Sequence, residues 1–159
     1  AFPGGVQFAF LIEGGQKIFD EARSLAAKSR EDSLDTRMPL SVPYFSAHLT
    51  VAGRLPAKHV IHSVALEGDQ NGIRCNGQVI SKSTKNVLEL ARRNGLSSVG
   101  FPALGTGLYQ VPLEECVEAM TEEFIKELRT RTTINRIGLV LYSQEDYVLG
   151  KGLLDRRFK

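Results

Sequence analysis

The sequence is short of the residues that staple or anchor a protein. Cysteine occurs only as Cys75 and Cys116, too few for a disulfide framework, and the two read as reduced thiols of an intracellular protein, cytoplasmic or nuclear. Three histidines leave too few spaced ligands for a Cys/His zinc cluster. No run approaches the roughly 18 apolar residues that a membrane span requires. The opening AFPGGVQFAFLIEGG has a short apolar stretch with no basic region before it, unlike a secretory signal. A charge excess is missing too: Lys+Arg 20 against Asp+Glu 18 gives +2. That balance, with no basic stripe, argues against a protein that grips a nucleic-acid duplex.

What is present is an ordinary globular composition, 42 % apolar and 24 % charged, which excludes disordered and fibrous classes. The chain of 159 residues fits a single domain over residues 1–159. A domain of this size buries roughly two-thirds of its extended-chain surface and needs no metal or disulfide. Ile18, Phe19, Ala22, Leu25 and Ala26 recur at helical spacing after Gly14-Gly15. A charged, proline-broken surface excursion follows from Lys28. YFSAHLTV (44–51) and KHVIHSVAL (58–66) read as strands, and the polar stretch 67–77 as a loop. A helix over 79–93 closes at Asn94-Gly95. SSVGFP (97–102) reads as a short buried strand, and a helix opened by Pro112 carries Leu113, Val117, Met120, Phe124 and Leu128 on its core face. NRIGLVLY (135–142) reads as a strand covered on both faces, and an amphipathic helix runs from about Glu145 to Leu154. Alternating strands and helices predict a layered α/β domain with a mostly parallel sheet.

Two glycine-bearing segments carry the chemistry. In SVGFPALGTGLYQVP (98–112) a strand runs into a loop with Gly105 and Gly107 before a helix opens, the place where open α/β sheets bind ligands. Glycines there let main-chain N–H groups approach an anion, and the helix N-terminus adds a favourable dipole. Thr106 adds a hydroxyl donor. The alternative is a tight turn that needs glycine for its backbone angles. A Walker loop is excluded because Leu108 and Tyr109 stand where Lys-Ser/Thr is required, and the dinucleotide fingerprint would need glycine at Gln110. In FPGGVQFAF (2–10), Gly4-Gly5 precedes a helical turn of Val6, Phe8, Ala9 and Phe10, a second set of unobstructed amides.

Taken in order, GGVQFAFLIEGG, AHLTVAGRLPAKHVIHSV, SSVGFPALGTGLYQVP and IGLVLYSQEDY resemble the successive motifs of the macrodomain, an α/β module that recognises ADP-ribose. The resemblance implies a three-layer α/β/α fold with a mixed sheet and a ligand cleft at the strand ends. It implies no cofactor and no metal. In that family the loop matching Leu104 to Tyr109 wraps the diphosphate and distal ribose, with Leu108 and Tyr109 flanking the ribose. The loop matching Gly4, Gly5 and Val6 covers the phosphates from the other side, and the aromatic matching Tyr142 stacks on adenine. The partner implied is ADP-ribose, free or attached to protein. Two further readings stand beside simple binding: hydrolysis of an ADP-ribosyl or O-acetyl-ADP-ribose linkage, and a scaffold with a degenerate cleft.

The match also departs from the family. Its two opening strands, with an Asp for the adenine amino group and an Asn-rich ribose segment, have no counterpart here, so such strands are expected upstream of Ala1 or from another segment, as part of a longer polypeptide. Gln7 and Tyr109 occupy positions where hydrolytic members carry acidic or lysine groups, and Gln cannot act as a base near neutral pH. The catalytic residues are therefore unassigned. Gln110 replaces a third loop glycine. His59 and His62 fall on opposite strand faces, so they do not share a metal; His62 reads as a hydrogen-bonded core or rim histidine. Cys116 lies in a helical first turn, where a dipole lowers a thiol pKa and burial raises it; burial is expected to win.

Overall fold

The computed structural model describes residues 5–31, 43–69 and 72–158. Gly4 and most of the charged excursion lie outside them. The chain forms two compact units, residues 1–64 and 65–159.

In the first unit, helix α1 (Val6–Gly14) is followed by α2 (Gln16–Glu31) and by strands β1 (Ala47–Val51) and β2 (His59–Ser63). The two strands form an antiparallel hairpin in register from Ala47↔Ser63 to Val51↔His59. Their link, residues 52–58, is too short for a parallel crossover. Helix α2 packs on β1 through Ile18, which is buried with Ala52 and Val60 beneath Phe10, Phe19 and Leu55. The Glu21 carboxylate accepts the Val51 N–H at 2.8 Å and fastens helix to strand. The turn expected at residues 6–10 is the start of a longer helix. It ends where Arg54 caps it: the Arg54 N–H donates to Gly14 O at 3.0 Å and its Nη2 to Ile12 O at 2.9 Å. Gly53 has φ +60, and a β-carbon there would strike the Gly14 carbonyl.

Cross-strand pairing sets His48 opposite His62 on one face of the hairpin. His62 Nε2 shares a hydrogen bond of 3.0 Å with Thr50 Oγ1, and the Phe19 ring meets it edge-on at 6.5 Å. His62 is thus a hydrogen-bonded rim histidine, and His59 is exposed.

The second unit opens with β3 (Glu67–Asp69) and β4 (Gly72–Arg74), an antiparallel hairpin where a polar loop was expected. Its strands are three residues long and almost wholly polar, so no apolar alternation announces them. Gly72 at φ +128 and the Arg74–Glu67 ion pair at 2.9 Å, between register partners, hold it. Helix α3 (Gly77–Arg93) begins at Asn76, whose side chain accepts the Val79 N–H, and ends at Asn94 before left-handed Gly95. Strand β5 (Ser98–Pro102), helix α4 (Leu113–Leu128) and strand β6 (Arg136–Val140) form a parallel unit, and α5 (Gln144–Arg157) follows, capped by Ser143.

The core of this unit joins Val79, Ile80, Val87, Leu88 and Ala91 of α3 to Val117, Met120 and Phe124 of α4. Phe101 of β5 reaches Phe124 at 5.1 Å between ring centres. The buried Glu123 carboxylate accepts from Ser81 and Lys126, which explains an acid on a core-facing helix.

Several expectations need correction. Among the described residues only β5–β6 pairs in parallel; the other two pairs are hairpins on short links. Neither β5 nor β6 is fully covered: Ser98, Gly100, Arg136 and Val140 are exposed and share one face of the pair by register, so one face is open and the other, with Phe101, is packed. Leu128 closes α4 exposed rather than in the core. Helix α5 buries Gly150 and Leu153 but leaves Tyr147, Val148 and Leu149 exposed, so it is not cleanly amphipathic.

Burial, chiefly, and the facing His48 hold the His62 pKa below 6.5, with Glu21 pulling it back up. The unfolded chain therefore takes up this proton first as pH falls, and stability that is full above 6.5 declines below it. The thermal midpoint should be lower at pH 5.5 than at 7.5, and the difference should shrink in His62→Gln. An unchanged pH slope in the variant removes His62 from the account.

Candidate functional site

The link between β5 and α4 leaves a run of its main-chain amides without acceptors among the described residues. Ala103 O accepts the Thr106 hydroxyl at 3.0 Å, Gly105 O accepts the Val111 N–H at 3.1 Å, and Gly107 O accepts the Gln110 N–H at 3.1 Å. The N–H groups of Gly105, Thr106, Gly107, Leu108 and Tyr109 have no acceptor among the described residues. Five successive main-chain amides without an internal acceptor form a run of donors open to an anion. The Thr106 hydroxyl serves the loop's own carbonyl instead of standing as a donor for a ligand.

The two loop glycines have different reasons. Gly105 sits at φ +77, and a β-carbon on it would stand 2.6 Å from the Cys75 sulfur and 3.1 Å from Val111 Cγ2. It is glycine because nothing else fits. Around Gly107 nothing lies within 4 Å of the β-carbon position, so packing leaves that space open above the loop. Gln110 has φ +52: the position does take the left-handed conformation that suits glycine, and a side chain occupies it at some strain.

Leu104, at the base of the loop, is half-buried, and its main chain hydrogen-bonds the Cys116 sulfur. Burial pushes the Cys116 thiol up to about 12; the Leu104 bond offsets part of this, and Cys75 and Glu115 add to it. Burial wins over the helix N-terminus. Cys75 is also raised, by burial first and by the Glu115 carboxylate second. Both are inert, uncharged thiols at neutral pH.

Leu108 is 89 % exposed, Tyr109 sits at the edge of exposure, and Tyr142 is fully exposed. Tyr142 is therefore not a core residue. Because β5 and β6 run parallel with Pro102 paired to Val140, the glycine loop and Tyr142 leave the same end of the strand pair. That places an aromatic surface and a row of amides on one rim.

In the first unit, Gly5 opens α1 at φ +63, ψ −134, with no side-chain cap and no acid in the first turn. Ala9 N–H is the first to bond back, to Gly5 O at 3.2 Å, which leaves Val6, Gln7 and Phe8 as donors without acceptors among the described residues. Val6 is exposed. Gly4 lies outside the described residues. A shallow cavity of about 450 Å³ at the other end of α1 is lined by Lys17, Arg54 and Lys58; its arginine already caps α1.

Two features escaped the sequence reading: Cys75 beneath Gly105, and the Gly77 N–H held by Glu115 Oε1 at 2.6 Å. Both join residues some 30 to 40 positions apart, and no local pattern carries such a contact. Among the described residues no group of three or more His, Cys, Asp or Glu side chains is placed to hold a metal.

A match to the family described as Macro domain runs over residues 2–120. An uncharacterised protein of Pyrobaculum aerophilum is 35 % identical over 147 residues, 91 % of this chain and 71 % of its own length. The O-acetyl-ADP-ribose deacetylase of Citrobacter rodentium is 34 % identical over 157 residues, 97 % of this chain and 81 % of its own. The fold resembles that of a macrodomain from Oceanobacillus iheyensis solved with ADP, at TM-score 0.81 and 22 % identity, covering 98 % of this chain and 77 % of that one. The layered α/β class read from the sequence is the class observed.

Relief of the left-handed glutamine gives a direct check on the loop. Gln110→Gly should raise the free energy of unfolding by about 0.5–1 kcal/mol, and Gln110→Val should lower it, both read by chemical denaturation. No gain in the glycine variant would mean that residue 110 is unstrained.

Proposed function

This chain belongs to the macrodomain family, and from that premise we propose that residues 1–159 form a single domain that binds ADP-ribose, free or attached to protein. The amides of Gly105, Thr106 and Gly107 gather around the diphosphate, and the resemblance adds Gly4, Gly5 and Val6 as a second phosphate-binding segment. Leu108 and Tyr109 flank the distal ribose, Leu104 forms the floor, and Tyr142 stacks on adenine. What supports this reading is one observation: the five successive amides of Gly105 to Tyr109 have no acceptor among the described residues. Preformed donors of this kind need no rearrangement to receive an anion, so little of the binding free energy is lost to ordering. The protein works inside the cell, in cytosol or nucleus, where two free thiols persist and ADP-ribose is made.

A second reading, hydrolysis, is favoured by the deacetylase name of the Citrobacter relative. Against it, Gln7 and Tyr109 offer no carboxylate at the distal ribose. Turnover here would depend on a bound water positioned by main chain and by the substrate's own phosphates, and would be slow beside an enzyme with a protein base. Calorimetry with ADP-ribose, followed by incubation with O-acetyl-ADP-ribose and with mono-ADP-ribosylated protein, separates the readings. Saturable heat without product is expected; product released in proportion to protein establishes the enzyme, and no heat with an intact fold leaves a scaffold.

Two variants locate the ligand. Gly107→Glu should abolish ADP-ribose binding by filling the space with a like charge, while its circular dichroism and melting stay at wild-type values, since nothing lies within 4 Å of the new β-carbon. Retained affinity would move the diphosphate elsewhere. Tyr142→Ala should weaken ADP-ribose by about 1 kcal/mol, roughly fivefold, and leave ribose phosphate unaffected; equal losses for both would take adenine away from Tyr142.

A further inference from the structure

We propose that Cys75 is a positioning residue for the diphosphate loop, the seat whose thickness sets the height of the Gly105 to Gly107 amides; the proposal rests on reading that loop as the ADP-ribose site. Cys75 lies between β4 and α3, immediately before the Asn76 cap. Its sulfur meets the face of Gly105 where a β-carbon would project, at 2.6 Å from that point, with Val111 Cγ2 at 3.1 Å and Ile80 Cδ1 at 3.4 Å completing the socket. Two stretches of chain, residues 75–80 and Val111 at the end of the loop itself, thus converge under one glycine. Neither yields easily. Ile80 is wholly buried and Val111 nearly so. The start of α3, which carries Cys75 and Ile80 on either side of it, is pinned twice: Asn76 holds the Val79 N–H at 3.0 Å, and Glu115 from the first turn of α4 holds the Gly77 N–H at 2.6 Å.

Above the seat, Gly105 is fixed as well. Its carbonyl accepts from Val111 at 3.1 Å, and its φ is +77. Any change in the bulk of residue 75 therefore passes into the loop and tilts the amide row instead of being absorbed below. The choice of cysteine fits the task. It is a small, polarisable, apolar side chain that fills a narrow gap. Burial and the nearby Glu115 carboxylate keep it protonated, so the sulfur beneath the loop adds no negative charge of its own.

The test is a set of variants read by ADP-ribose calorimetry and by the amide resonances of Gly105 and Gly107. Cys75→Leu should weaken ADP-ribose by about tenfold or more, whereas Cys75→Ser, of nearly the same size, should stay within about threefold of wild type. Gly105→Ala should also lose affinity, and in a Cys75→Ala background its loss should be smaller by about threefold or more, because the atom it strikes is gone. Additive losses in that cycle, or wild-type affinity in a folded Cys75→Leu protein, overturn the seat. If wild-type protein gives no heat with ADP-ribose, the functional reading fails separately, and the resonances decide the seat: shifts confined to the loop in Cys75→Leu and Cys75→Ser in proportion to side-chain size support it, and unmoved Gly105 and Gly107 signals overturn it.

Discussion

The constraint on which the candidate site depends is the run of main-chain amides between Ala103 and Val111 that are unpaired among the described residues. Each carbonyl that turns inward, at Ala103, Gly105 and Gly107, takes an internal partner, and the turn this creates leaves the intervening N–H groups without one. In a buried position such donors would be costly. Here Gly105 and Thr106 are half-buried and Gly107, Leu108 and Tyr109 are exposed, so the row opens to solvent. The arrangement needs no charged side chain, and that is consistent with a chain whose charges nearly balance. On the proposed reading, selectivity for a diphosphate would come from shape and from the number of donors in reach.

The sequence made the periodic elements legible and left the contacts between them hidden. Helix α3 was readable because Ile80, Val87, Leu88 and Ala91 fall on one face and Asn94-Gly95 ends it, and the structure buries all four. The loop was readable because its glycines stand between an apolar strand and a helix-opening proline. The β3–β4 hairpin was not, since its stability rests on a cross-strand ion pair in a segment with almost no apolar residues. Helix α5 misled for the opposite reason: Tyr147, Val148 and Leu149 are apolar, yet they face solvent in this chain. Nor could spacing distinguish Gly105, excluded from having a side chain by Cys75, from Gly107, which has space to spare. That difference exists only after the chain has folded.

Gln110 shows how a family pattern and a physical requirement can part. Its φ of +52 is the conformation for which glycine is the usual solution. The chain keeps the conformation and tolerates the glutamine, because the Gln110 N–H closes the turn onto Gly107. A backbone demand outlasted the residue that ordinarily answers it, so departures from a motif at one letter need not mean a departure in shape.

The pairing of Pro102 with Val140 has a consequence of its own. Since the glycine loop and Tyr142 each begin from the last rungs of one two-strand ladder, the span between them is metered by backbone repeats. A single residue inserted into or deleted from either strand would slide that end by about 3.3 Å and turn its side chains to the opposite face. The rim therefore depends on strand length as well as on the side chains it carries.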